Sequence, residues 1–266
     1  MEFARRGMRT IMACRDGKSA DEAAQEAREI TGAMEIIGVE CNLASFESIR
    51  NFAKQIHATE PRIDILVNNA AIFQCPFALT EDGLEMQMGV NYLGHFLLTN
   101  LLLPKMDGGM FGHHSKIIIT SSPFHTRGQI DIDNLVMNEA NYNKYQAFCN
   151  SKLACNLFAI ELSRRTQPYG IDVHCVEPLF SKTYMHRHVD LSILDRIKKT
   201  LLAKPSIDGV QSTLQCAGAP EVEGKSGLYY RNCHVAPWSQ TTLQHSALAP
   251  RLWKVSKELT GLKTTI

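Results

Sequence analysis

Long apolar runs are missing from this sequence, and their absence excludes integral membrane proteins. No stretch approaches the roughly 18 to 20 apolar residues of a spanning helix, and segment 1–6 lacks the apolar core of a signal peptide. We therefore expect no transmembrane segment. We expect a cytoplasmic protein, with peripheral attachment as the only form of membrane contact.

A dominant charge of one sign is also missing. The 28 lysines and arginines and the 27 aspartates and glutamates are interspersed and give a formal net charge of +1. This balance gives no electrostatic basis for binding nucleic acid or an anionic membrane. A small lipophilic or amphipathic molecule is the better expectation for a partner.

The cysteines and histidines do not form the patterns of a disulfide framework or a metal site. None of the eight cysteines belongs to a C-x-x-C pair, and the ten histidines are scattered without flanking ligands. This usage is typical of reduced, buried thiols and solvated histidines. We expect no metal.

Apolar strands alternate with amphipathic helices along the whole chain. The predicted strands are 9–14, 35–41, 62–67, 116–120, 171–176 and 227–230, and the main predicted helices are 19–31, 49–56, 83–103, 142–165, 206–217 and one around 252–255. Such alternation predicts an α/β fold, a doubly wound parallel sheet covered on both faces. We expect a single domain over 1–266, with a mobile substrate loop in 178–205.

Five motifs occur in order and resemble one enzyme family. They are Ala13-Cys14-Arg15-Asp16, Asn68-Asn69-Ala70, Val90-Asn91-Tyr92-Leu93-Gly94-His95-Phe96, Ser151-Lys152-Leu153-Ala154 and Gly227-Leu228-Tyr229-Tyr230. Together they resemble the short-chain dehydrogenase/reductase family over essentially the whole chain, and most closely its retinol-dehydrogenase-like branch. The resemblance implies a Rossmann-type fold and alcohol/carbonyl interconversion with a nicotinamide cofactor.

The resemblance implies three catalytic positions. Ser122 matches the serine that hydrogen-bonds the substrate carbonyl, with its neighbour Ser121 as an alternative and strand-end capping as the structural reading. Lys152 matches the lysine that holds the nicotinamide ribose. Asn91 matches an asparagine in a proton relay through ordered water, a role compatible with bonding to backbone groups.

The fourth catalytic position carries the wrong residue. The family has Tyr-x-x-x-Lys, in which the lysine one helical turn away lowers the pKa of the phenol so that it passes a proton at neutral pH. Phe148 stands at the tyrosine position and has no proton to give. Tyr142 and Tyr145 are nearby alternatives, but Tyr145 is seven residues before Lys152, which is two turns or about 10 Å along a helix.

The expected cofactor is NADP, bound weakly or not at all. The resemblance places Asn68 and Ala70 beside the adenosine, Arg15 near the 2′-phosphate, Asn42 where an adenine-contacting aspartate is usual, and Pro178 beside the nicotinamide. Lys18 is a second candidate cation. Ala71 and Leu179 stand where glycines are usual.

The family's first strand and its glycine-rich, diphosphate-binding turn have no counterpart here. Since that strand is central, we expect two unpaired strand edges in the middle of the sheet and poor solubility. Three hypotheses stay open: a weakly active oxidoreductase, a catalytically dead relative that acts as a binding or regulatory module, and an incomplete chain. A homodimer through the Asn91 and Phe148 helices is also expected.

Overall fold

The computed structural model describes residues 1–108, 112–178, 209–218 and 222–263. The helices are α1 (Glu2–Arg5), α2 (Gly17–Thr31), α3 (Phe46–Thr59), α4 (Met86–Met88), α5 (Gly94–Leu102), α6 (Lys144–Thr166), α7 (Gln211–Gly218), α8 (Gln240–His245) and α9 (Ala249–Thr260), with a π-helix at Gly89–Leu93. The strands are β1 (Thr10–Cys14), β2 (Ile36–Glu40), β3 (Ile65–Asn68), β4 (Ser115–Thr120), β5 (Ile171–Glu177), β6 (Leu228–Arg231) and β7 (His234–Ala236).

The larger sheet has the order β3-β4-β5-β6-β7. Strands β3 to β6 are parallel, and β7 returns antiparallel to β6. Every residue of β4 is buried, as are the first six of β5, because helices cover both faces. The continuous β-branched run 117–119 therefore reflects a strand with no solvent-facing side. The predicted parallel α/β architecture is confirmed.

The smaller sheet consists of β1 and β2, paired in parallel. Within the described residues β1 has no second partner, and β3 pairs only with β4. The side chains of both edge strands are mostly half-buried, in contrast to β4. The two unpaired edges that the sequence predicts are thus present.

Helices α5, α6 and α9 pack together on one face of the larger sheet. Their contact is largely aromatic: Trp253 lies 5.0 Å from Phe96 and 5.8 Å from Phe158 between ring centroids. The guanidinium of Arg165 covers the Trp253 ring at 4.4 Å. This packing fixes α6, which carries Phe148 and the predicted catalytic residue Lys152.

Several boundaries differ from the prediction. The helix expected at 83–103 begins at Met86, because the Glu85 carboxylate accepts the backbone N–H groups of Gln87 and Met88 and caps it there. Strand β7 and helix α8 were not predicted. Of the expected substrate loop, only Pro178 lies within the described residues. No described helix combines the length and apolarity needed to cross a membrane.

Candidate active site

Phe148 fills the centre of the predicted catalytic site. Its side chain is fully buried on α6. Its ring meets Phe73 nearly edge-on, with centroids 4.5 Å apart, and Phe124 at 5.9 Å. Edge-to-face pairs of this kind stabilise by about 0.5 to 1.5 kcal/mol beyond their buried area. The position is therefore well packed, but it carries no exchangeable proton.

Lys152 lies one turn after Phe148 and is also buried. Its Nζ donates to the Thr120 carbonyl at 2.9 Å and lies 5.9 Å from the Phe148 ring centroid. Burial lowers the pKa of Lys152, and no carboxylate among the described residues forms an ion pair with it. The ammonium thus points at the end of β4, with two further N–H bonds available to a ligand.

The two candidate serines follow β4, and their hydroxyl groups have different partners. Ser121 donates its hydroxyl proton to Asn156 Oδ1 at 2.6 Å. Ser122 Oγ only accepts a long bond of 3.4 Å from the Phe124 N–H. Among the described residues the Ser122 hydroxyl has no acceptor for its own proton. Ser122 is therefore the serine with a proton to offer a carbonyl.

Asn91 lies in the π-helix, an irregularity that is frequent at functional sites. Its amide bonds both backbone groups of Ile72, at 2.8 and 3.0 Å, and donates to Ser151 Oγ at 3.1 Å. Its backbone carbonyl accepts from Cys155 Sγ at 3.2 Å. Asn91 therefore satisfies buried backbone groups, as a structural asparagine does. Its role in a proton relay through water stays a prediction.

Neither alternative tyrosine hydrogen-bonds Lys152. Tyr142 donates to the Cys75 carbonyl at 2.7 Å and accepts from Gln87 Nε2 at 2.9 Å, and burial raises its pKa. The Tyr145 ring packs against Phe124, with centroids 5.7 Å apart. Desolvation also raises the pKa of Tyr145. Both phenols are therefore poorer acids than free tyrosine.

Near the end of β3, two buried acceptors have no donor within the part of the chain that the structure describes. Asn68 donates to Thr99 Oγ1 at 2.7 Å, but its Oδ1 has no partner. Burial lowers the pKa of His95 to about 4. The neutral ring donates from Nε2 to the Ala70 carbonyl at 2.9 Å, which leaves Nδ1 unpaired. Buried groups of this kind normally bond a water or a ligand.

The remaining cofactor candidates are more exposed. The Arg15 side chain is 77% exposed, and its nearest carboxylate is Asp16 at 3.8 Å. The Asn42 side chain accepts the Ala44 N–H of its own loop, and it donates to Glu81 Oε1 at 3.2 Å. Pro178 is half-buried directly after β5.

The residues present fit one end of a nicotinamide dinucleotide. At the nicotinamide end, Ser122 and Lys152 offer free donors near the end of β4. On the adenosine side, Ala70 is open to solvent and Asn68 Oδ1 has no donor among the described residues. Arg15 and Lys18 carry charges that suit a phosphate there, whereas the carboxylate of Glu40, which accepts the Gly17 N–H at 3.2 Å, would repel one. A glycine-rich turn that would hold the diphosphate does not occur among the described residues. The described residues therefore provide partners for parts of the cofactor but not for its diphosphate.

Asn156, His95 and His125 belong to the polar structure of the site and were not singled out from the sequence. Asn156 was detectable, because Phe148, Lys152 and Asn156 recur every four residues and so share one face of α6. His125 had no comparable signal, since it lies in the short 3-10 helix Pro123–Arg127 and its partner Ser239 is 114 residues away.

Comparison with known proteins identifies the family of this chain. The family model described as short chain dehydrogenase matches residues 1–192. Human retinol dehydrogenase 14 is 38% identical over 278 residues, covering 98% of this chain and 81% of the relative. Human retinol dehydrogenase 13 is 41% identical over 271 residues, covering 99% and 80%.

Solved structures show the same fold. An uncharacterized protein from Mycobacterium paratuberculosis superposes with a TM-score of 0.77 at 30% identity, covering 100% of this chain and 88% of that one. A short chain dehydrogenase from Escherichia coli CFT073 complexed with NADPH gives 0.65 at 21% identity, covering 86% and 88%. The chain belongs to the short-chain dehydrogenase/reductase family, in its retinol-dehydrogenase-like branch.

Proposed function

We propose that this chain is an NADP(H)-linked oxidoreductase that interconverts an alcohol and a carbonyl on a lipophilic substrate, with a low rate or none. One observation carries the proposal: the buried ring of Phe148 lies one turn from Lys152, at the position where the reaction needs a proton donor. Loss of a general acid or base typically lowers a rate by about 10² to 10⁴.

The remaining groups support binding and polarisation of a carbonyl. The Ser122 hydroxyl donates to the carbonyl oxygen, and Lys152 adds positive charge, since no described carboxylate pairs with it. A bound nicotinamide supplies or accepts the hydride. The aromatic rings of Phe73, Phe124 and Phe148 form an apolar cluster beside these groups, which suits an apolar ligand.

A second candidate is a binding or regulatory module without catalysis. The packing of Phe148 against Phe73 and the bond from Lys152 to Thr120 favour it, because both leave the site stable without a substrate. In either case we propose a cytoplasmic or peripherally attached protein. The expected homodimer through the Asn91 and Phe148 helices also stays a proposal, although α9 already covers part of α5 and α6 through Trp253.

The test measures binding and turnover separately on the chain as it stands. Calorimetric titration with NADPH should give a dissociation constant well above the low micromolar range. All-trans-retinal, chosen from the names of the relatives, should bind and quench tryptophan fluorescence. Slow oxidation of NADPH by retinal supports the oxidoreductase, retinal binding without any turnover supports the module, and tight NADPH binding contradicts the weak-cofactor proposal.

A further inference from the structure

A continuous chain of hydrogen bonds, buried except at the half-buried Ser239, joins the two candidate serines through the C-terminal part of the molecule. Ser121 bonds Asn156, whose Nδ2 lies 3.1 Å from Thr242 Oγ1. Thr242 bonds Ser239 at 3.0 Å, and Ser239 lies 2.8 Å from His125 Nε2. The chain closes where His125 Nδ1 meets the Ser122 carbonyl at 2.6 Å.

The direction of every bond in this chain is determined. A carbonyl only accepts, so His125 Nδ1 carries the proton that bonds Ser122. Burial lowers the pKa of His125, so the ring is neutral and Nε2 accepts the Ser239 hydroxyl proton. Thr242 must then donate to Ser239, and Asn156 donates to Thr242 while its Oδ1 accepts from Ser121 and Cys175.

The chain therefore controls both serines in opposite ways. Ser121 donates its hydroxyl proton within the chain. Ser122 takes part only through its carbonyl, which accepts from His125, so its hydroxyl stays outside the chain. His125 is itself 2% exposed and packs against the Tyr229 ring, with centroids 5.7 Å apart. Its imidazole cannot turn away without breaking a bond at each nitrogen.

We propose that His125 is a positioning residue for Ser122: its Nδ1–H holds the Ser122 backbone so that the free hydroxyl meets the substrate carbonyl. The inference rests on the proposed function, and it adds a residue that acts only through Ser122. The other nitrogen ties this contact to Ser239, which caps α8 and accepts the Thr242 N–H.

A double-mutant cycle tests the proposal in a Phe148→Tyr chain, where turnover of retinal with NADPH is measurable. H125Q places its amide near the Nε2 position and loses the side-chain bond to Ser122, while the backbone N–H of residue 125 keeps its own bond to the same carbonyl at 3.1 Å. We expect kcat to fall about tenfold while the KM for NADPH stays constant. In the S122A background, H125Q should lower kcat less than about twofold, because the group it positions is gone.

Two controls separate positioning from stability. H125N places an amide near the Nδ1 position and should keep kcat within about threefold of the parent. S239A removes the α8 cap and should lower the melting temperature while keeping most of kcat. Equal loss in H125N and H125Q, an undiminished H125Q effect in S122A, or kcat that follows melting temperature across the set would overturn the proposal.

A measurement independent of turnover covers the case in which the Phe148→Tyr chain is inactive. Long-range ¹H–¹⁵N correlation spectra of the unmodified chain at pH 7.5 should show His125 as the neutral Nδ1–H tautomer. The Nε2–H tautomer or a charged ring would overturn the positioning role. Inactivity with the expected tautomer would instead count against the proposed function alone.

Discussion

The strand ends of this molecule form two regions of different character. At the end of β4, buried polar groups bond one another: Ser121 bonds Asn156, and Lys152 bonds Thr120. At the end of β1 and β3, Arg15 and Ala70 face solvent, and Asn68 Oδ1 has no partner.

The difference teaches that the catalytic half keeps the Ser122 hydroxyl and the Lys152 N–H groups for a ligand but is filled at the position of the proton donor. Phe148 stands at that position in close aromatic packing. The cofactor half leaves donors and acceptors open, beside two strand edges without partners. Experiments that treat the halves separately can strengthen or remove this distinction.

The largest effect is expected from Phe148→Tyr. The new phenol would stand one turn from Lys152, so it could pass a proton, and turnover of retinal should rise by a factor of about 10² or more if NADPH binds. Spectrophotometry of NADPH oxidation measures this rate. Phe124→Tyr serves as the matched control, because it adds a phenol to the same aromatic cluster on another element. An equal rise of the rate in both variants would show that the gain does not depend on placing the phenol at position 148.

A matched pair of isoleucines tests the difference in burial between the sheets. Ile118 in β4 is fully buried, so Ile118→Ala should lower the free energy of unfolding by about 2 to 5 kcal/mol. Ile11 in β1 is half-buried, and Ile11→Ala should cost only about 1 kcal/mol. Urea denaturation measures both values. Equal costs would mean that β1 is covered in solution and that the contrast between the sheets is wrong.

The regular part of this architecture was predictable because its cause is local. The run Ile117-Ile118-Ile119 and the four-residue spacing of Phe148, Lys152 and Asn156 both lie within single elements. The polar chain was not predictable, since Asn156 and Thr242 are 86 residues apart. Neither β7 nor α8 was predicted, because a three-residue strand and a six-residue helix are too short to show a period.

Acid should destabilise the buried face of the larger sheet through His174. Neither ring nitrogen has a hydrogen-bond partner among the described residues, and burial lowers the pKa of His174 to about 4. The unfolded chain, with a histidine pKa near 6.5, therefore binds a proton first as the pH falls. Between pH 7.5 and 5.0 this should remove about 2 kcal/mol of stability.

Replacement of this ring isolates its contribution. His174→Phe keeps a ring against Tyr230, whose centroid lies 5.5 Å from that of His174, and should reduce the loss of stability on acidification by that amount. His234→Phe, at an exposed position, should leave the loss unchanged. Denaturant titrations at both pH values measure the difference. Identical pH dependence in His174→Phe and the parent would place His174 in a solvated environment.

The smallest effect concerns the open half of the site and the choice of cofactor. Arg15 is exposed after β1 with Asp16 as its nearest carboxylate, at 3.8 Å, so its guanidinium can reach a 2′-phosphate. Exposed ion pairs contribute up to about 1 kcal/mol, so Arg15→Ala should weaken NADPH binding about fivefold and leave NADH binding unchanged. Lys18→Ala is the matched control, because Lys18 lies one residue into α2 and already faces Glu22 at 3.8 Å. Calorimetry at low salt gives both constants. If Lys18→Ala has the larger effect, or if NADH weakens equally, the cation at position 15 does not select the cofactor, and the solvent-facing half of the site lacks a determinant for the phosphate.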